Sequence, residues 1–140
     1  DDSLYRSTVS MFISFLTALP SQPSKNKYQP ILNHALDFIK ENFTDPDMSL
    51  TWVAQQVALS PSHFSTIFSQ SFNQTFIDYL TEQRIELAKK LLQQSDYRIS
   101  DIAFEIGYND PNYFSYLFKK KQGISPKEYR TQLFLENKNK

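Results

Sequence analysis

Lys119, Lys120 and Lys121 are the residues that most directly offer chemistry. Three adjacent ammonium groups at the end of a short apolar-periodic segment can neutralise phosphates. The same run also suits a solvated helix end, where the C-terminal dipole favours positive charge. Other candidates have plainer readings. His34 and His63 lack partner ligands at metal spacing, and Asp45 and Asp47 lie in a TDPDM turn, where carboxylates form turns and caps. Phe64, Phe68 and Phe72 recur every fourth residue, the spacing of a core stripe. There is no cysteine, hence no disulfide, thiolate zinc site or cysteine nucleophile, and the composition fits a reducing cytoplasm. No catalytic constellation is visible, so an enzyme, a cofactor and a bound metal are not expected.

Charge is distributed unevenly. The 140 residues carry 15 basic and 15 acidic side chains. Thr44 to Gln83 contains no Lys or Arg but four acids, Asp45, Asp47, Asp78 and Glu82. Arg84 to Arg130 holds nine basic residues (Arg84, Lys89, Lys90, Arg98, the three lysines, Lys127 and Arg130) against six acids, a net +3. A phosphate-binding footprint would therefore sit in the second half.

The elements that must position these charges are helices. Two glycines leave little room for hairpins, and the composition favours an all-α chain. Ile99, Ile102, Ala103 and Ile106 mark one face of a helix, which Gly107 stops. Asp110-Pro111 starts the next, an acidic cap followed by proline at the first helical position, and Tyr113, Phe114, Leu117 and Phe118 supply its apolar face. Ser125 and Glu128 form a capping box for a last helix to about Leu133, and the tail 136–140 is expected to fray. Two short helices across a tight turn make a helix-turn-helix unit.

The same unit occurs twice. Leu50, Val53, Ala54 and Val57 match Ile99, Ile102, Ala103 and Ile106 at an offset of 49. Phe64, Ser65, Ile67, Phe68, Thr75 and Tyr79 match Phe114, Ser115, Leu117, Phe118, Ser125 and Tyr129 at an offset of 50. Ala58 sits where Gly107 sits, and Ser60-Pro61 where Asp110-Pro111 sits. The units span about 50–71 and 99–122, and a helix from Thr75 to about Gln94 joins them. Such a helix is a rod of roughly 30 Å, comparable to the ~34 Å after which B-DNA presents its major groove again on one face.

Upstream, Ser3 to Leu19 reads as a widely apolar helix, Pro20 to Pro30 as an exposed linker, and Pro30 as the start of a helix to Phe43. Residues 1–30 are expected to be the end of an upstream region and residues 31–135 one domain. Val9 to Leu19 resembles a signal-peptide core, but Asp1 and Asp2 precede it where positive charge belongs. No run approaches the ~20 apolar residues of a membrane span. The missing initiator methionine points to a piece of a longer chain.

On RIELAKKLL, ISDIAFEIGY and YFSYLFKKKQGISPKEYR, with Gly107, Phe114, Phe118, Gly123, Pro126 and Tyr129 in place, the chain from about Ile31 to Leu133 resembles the AraC/XylS family of bacterial transcription regulators. The resemblance implies a DNA-binding domain of two tandem, homeodomain-like helix-turn-helix subdomains joined by a linker helix. It implies base reading by the exposed face of each second helix: Ser62, Ser65 and Thr66 in the first unit, Asn112, Ser115 and Tyr116 in the second. Asparagine can pair bidentately with adenine, hydroxyls accept several partners, and a tyrosine ring can meet a thymine methyl. Lys119, Lys120, Lys121 and Arg98 would hold phosphates. Members often carry Arg, Gln or Lys where this chain has Ser62, Ser65 and Thr66, which implies a weaker first unit. The implied partners are promoter or operator DNA, RNA polymerase, an upstream sensor or receiver domain, and a second copy through residues 3–19. A protein-docking module with weak DNA affinity is the alternative. Some DNA-repair methyltransferases carry a similar domain, but their chemistry needs cysteines that this chain lacks.

Overall fold

Ser, Asp and Thr at the positions preceding apolar-periodic runs decide where most of the helices begin. The computed structural model describes residues 21–138, which form seven helices and no strand. These are α1 (Ser21–Asn42), α2 (Leu50–Gln56), α3 (Pro61–Phe72), α4 (Phe76–Gln94), α5 (Ile99–Glu105), α6 (Pro111–Gln122) and α7 (Pro126–Lys138). Ser49, Ser60 and Thr75 each accept a hydrogen bond from the backbone N–H three residues on, at 3.0–3.1 Å. Asp110 Oδ1 accepts from the Asn112 N–H at 2.9 Å. At α7 the box closes both ways: Ser125 Oγ accepts from Glu128 N–H, and Glu128 Oε1 from Ser125 N–H.

The repeat extends to the backbone. Both α2 and α5 end in the Schellman arrangement: Leu59 N–H donates to Ala54 O as Tyr108 N–H does to Ala103 O, and Ala58 N–H to Gln55 O as Gly107 N–H does to Phe104 O. The pivot residues Ala58 and Gly107 both take positive φ, 57° and 109°. One helix later Asn73 and Gly123 are both left-handed caps. Asparagine is the side chain most tolerant of that conformation after glycine, so this second correspondence is also carried by residue type.

Each unit has its own core. Ala35, Ile39, Met48, Val53, Ala54, Phe64, Phe68, Phe76 and Leu80 form the first; Ile85, Ala88, Leu92, Ile102, Ala103, Ile106, Tyr108, Phe114 and Phe118 the second. α1 packs on α2 and α3, and α7 on α4 and α6. α4 serves both cores, Phe76 and Leu80 facing the first and Ile85, Ala88 and Leu92 the second. Its 19 residues make it about 28 Å long.

Four sequence-based expectations need correction. Residues 21–30, read as a linker, are helical, and Pro30 lies inside α1 instead of starting it. A proline there removes one N–H and crowds the preceding turn. Contacts hold that turn nonetheless: Tyr28 OH lies 3.3 Å from His63 Nε2, and Gln29 Nε2 donates to Asn33 Oδ1 at 2.9 Å. α7 continues past Leu133 to Lys138, through the first residues of the expected tail. Tyr113, assigned to an apolar face, is more than half exposed. The expected helix 3–19, and the dimer contact placed on it, lie outside the described residues. No helix among those described is long and apolar enough to cross a membrane.

Candidate nucleic-acid interface

α3 and α6 are the second helices of the two units, each pinned by a cap and proline at its start and a left-handed residue at its end. Phe64, Ile67 and Phe68 face inward from α3, and Phe114 and Phe118 from α6, so the opposite faces are turned to solvent. On α3, Ser62 and Thr66 are exposed and Ser65 is half-buried. The Thr66 hydroxyl donates to Ser62 O at 3.1 Å. His63 lies between them on the chain, edge-on to the Tyr28 ring at 5.6 Å.

On α6, Asn112 and Tyr116 are exposed and Ser115 is half-buried. Tyr116, 59% exposed, stacks on Tyr113 at 6.4 Å, and Lys120 Nζ lies 5.9 Å from the Tyr116 centroid. Tyr113 in turn meets Tyr108 edge-on at 5.8 Å. The outer face of α6 is thus a row of amide, hydroxyl, two tyrosine rings and a lysine. Lys119, Lys120 and Lys121 are exposed. Among the described residues the ion pairs are Lys89–Glu86 and Arg98–Asp101, so none of the three lysines is engaged by a carboxylate.

Arg98 stands apart from that face, at the N-cap of α5. Its guanidinium is hydrogen-bonded to both carboxylate oxygens of Asp101, at 3.0 and 3.4 Å. The hydrogen bond holds the Asp101 carboxyl below its ordinary range and raises Arg98 above its own. A phosphate contact by Arg98 would have to use its remaining donors.

Two of the nine cations counted towards a phosphate footprint point inward instead. Arg84 is 5% exposed and donates to Phe43 O and Asp45 O at 2.7 and 2.8 Å. Arg130 donates to Leu92 O, Ser95 O and Tyr97 O, closing off the end of α4. A sequence signal for Arg84 exists: it falls in the apolar stripe Phe76, Leu80, Ala88, Leu92 at spacing four. Arg130 and the outward turn of Tyr113 have no such signal. Among the described residues no three His, Cys, Asp or Glu side chains converge as metal ligands would.

An all-α tandem of equivalent helix-turn-helix units, each with a polar outer face on its second helix, is the architecture of a DNA-binding domain. The model of a family described as "Helix-turn-helix domain" matches residues 53–132. The arabinose operon regulatory protein of Escherichia coli is 35% identical over 99 residues, 71% of this chain and 34% of that protein. The transcriptional regulatory protein YesN of Bacillus subtilis is 34% identical over 103 residues, 71% of this chain and 28% of that protein. The solved C-terminal domain of AraT, a response regulator from Geobacillus stearothermophilus, superposes with a TM-score of 0.72 at 36% identity, covering 74% of this chain and 86% of that one. The chain belongs to the AraC-type family of helix-turn-helix DNA-binding domains of transcription regulators. It spans about a third of the length of these two full-length relatives.

Proposed function

We propose that this domain recognises a specific duplex by laying α3 and α6 in two successive major-groove segments. The observation that carries this reading is the equivalence of the two units, helix for helix and left-handed residue for left-handed residue (Ala58 with Gly107, Asn73 with Gly123), at the two ends of one helix of about 28 Å. Asn112, Ser115 and Tyr116 read bases from α6, and Ser62, Ser65 and Thr66 read them from α3. Lys119, Lys120 and Lys121, with the free edge of Arg98, hold phosphates and set register. α6 is the main anchor, because its own C-terminal turn carries those lysines whereas α3 lies in the cation-free stretch. The likeness to full-length regulators, of which the matched segment is about a third, favours a sensor or receiver domain elsewhere in the full protein, a cytoplasmic location and RNA polymerase as a further partner. A second copy contacting through residues 3–19 completes the proposed assembly.

The test is selection of duplexes from a random-sequence pool by the wild-type chain, followed by gel-shift titration at several salt concentrations. A shared motif and a specific complex whose affinity falls steeply with salt are expected. Absence of any enriched sequence, with no complex at low salt, would leave the domain as a protein-docking module.

A further inference from the structure

The stripe Phe76, Leu80, Arg84, Ala88, Leu92 runs along one side of α4, and its central member is the arginine. Phe76 and Leu80 belong to the first core and Ala88 and Leu92 to the second, so Arg84 lies at the seam between them. It is almost fully buried, yet no carboxylate meets it among the described residues. Its partners are two carbonyls of the α1–α2 turn, Phe43 O and Asp45 O, and one ring of the second unit, Tyr108, whose centroid is 4.8 Å from Cζ. One planar fork therefore grips the first unit by its edge and the second by its face. Lysine, a point charge on a flexible stem, could not make both contacts at once.

Tyr108 does not end the chain of contacts. It meets Tyr113 edge-on, Tyr113 stacks on Tyr116, and Tyr116 carries Lys120 on its far side. From the α1–α2 turn of the first unit to the outer face of α6 there is an unbroken series of side-chain contacts running through Arg84.

We infer that Arg84 is a positioning residue that fixes the distance and rotational phase between the two reading helices, so that the domain reads the spacing of its two half-sites as well as their sequence. The inference rests on the two-segment reading above. A rigid joint makes the second half-site bind as an intramolecular event only when its position matches. One inserted base pair displaces it by about 3.4 Å and rotates it by about 35°, which a fixed joint cannot follow and a loosened one can.

The experiment has a DNA-free arm and a DNA arm. The chain has no cysteine, so spin labels at Gln70→Cys and Lys121→Cys report one distance between α3 and α6 by pulsed electron resonance. A single narrow distribution is expected for the otherwise native chain, a clearly broader one with Arg84→Lys, and an unchanged one with Tyr108→Phe, which keeps the ring. For the DNA arm, duplexes selected by the wild-type chain are prepared as separate half-sites, as the full site, and with one base pair inserted between half-sites. Insertion should cost wild type on the order of tenfold or more, and Arg84→Lys only a few-fold, with half-site affinities within about twofold of wild type. An unchanged distance distribution and an unchanged spacing penalty in Arg84→Lys would overturn the inference. So would equal losses on half-sites and full site, which would make Arg84 a residue of folding alone. Failure of the wild-type chain to select any duplex would refute the DNA-reading proposal instead, and the label distances would still decide the joint.

Discussion

The Arg84 guanidinium occupies the space that a side chain on Gly107 would need. A Cβ built on Gly107 would lie 2.8 Å from Arg84 Nη2, 2.9 Å from Cζ and 2.9 Å from Thr44 O. The residue thus has two reasons to be glycine: a φ of +109°, and contact between its bare Cα and the seam of the molecule. Gly123 has only the first, with φ +87° and nothing within 4 Å of a built Cβ.

Gly107→Ala is therefore expected to destabilise the domain by about 2–4 kcal/mol, combining backbone strain with overpacking at a site that can yield only by displacing Arg84 and the Thr44 carbonyl. Gly123→Ala should cost about 1–2 kcal/mol, the backbone share alone. Denaturant titration of both variants gives the comparison. Equal losses would mean that the packing against Arg84 and Thr44 adds nothing.

Much of the fold is legible in the sequence because its determinants are local. Ser60-Pro61, Asp110-Pro111 and Ser125-x-x-Glu128 announce helix starts within four residues, and the spacing of Phe64, Phe68, Phe114 and Phe118 sets the buried faces. The positions of Ser62, Thr66, Asn112 and Tyr116 on outer faces follow from the same register. The spacing of Arg84 in an apolar stripe signals its burial, but neither its partners nor those of Arg130 are legible, because they include backbone carbonyls 41 and 38 residues away, and carbonyls leave no residue-type signature. Pro30 misleads for a related reason. Its preference for a helix start is a local tendency, overridden where Tyr28 docks on His63 and the turn continues upstream. Tyr113 shows the limit of hydrophobic patterning, since an exposed aromatic ring on the outer face of a helix looks in sequence like one more core residue.

Arg130→Lys removes a three-point closure. The guanidinium meets Tyr97 O at 2.7 Å and Leu92 O and Ser95 O at 3.1 Å, and so ties α7 to the C-terminal end of α4. An ammonium can satisfy only part of that set. The expected loss is about 1–3 kcal/mol. The denaturation midpoint should fall at an unchanged slope, since the surface exposed on unfolding is the same. A change in slope without a change in midpoint would contradict this role.

Glu128 gives α7 a dependence on pH. Hydrogen bonding with Ser125, backbone first and side chain second, holds its carboxyl below the ordinary value of 4.5. A depressed carboxyl stabilises the fold fully at pH above its unfolded value, and that contribution fades as pH falls through its folded value. Asp101, lowered by Arg98, acts with the same sign on α5. Titration from about pH 5 down to about pH 3 should loosen the start of α7, seen as a lower protection of the Ser125 amide relative to its intrinsic exchange rate at each pH. Glu128→Gln should flatten that response at Ser125 and leave the one at Asp101. If the Ser125 amide is equally protected at both ends of the range, the capping box does not contribute.

The lysines and Asn112 lie on one helix but should fail in different ways. Lys119, Lys120 and Lys121 offer mobile point charges that take any phosphate, and each phosphate contact contributes about 0.9 to the slope of log affinity against log salt. Replacing all three by glutamine should weaken every duplex alike and lower that slope by up to roughly 3. Asn112 carries an uncharged planar amide, one acceptor and two donors, on a residue whose backbone N–H is held by Asp110. Asn112→Ala should leave the salt slope unchanged and relax discrimination at one base pair by about 1–3 kcal/mol. Gel-shift titrations of the selected duplex and its single-base variants separate the two outcomes. If neutralising the lysines altered base preference while Asn112→Ala altered only the salt slope, the roles would be exchanged and Asn112 would be a backbone contact.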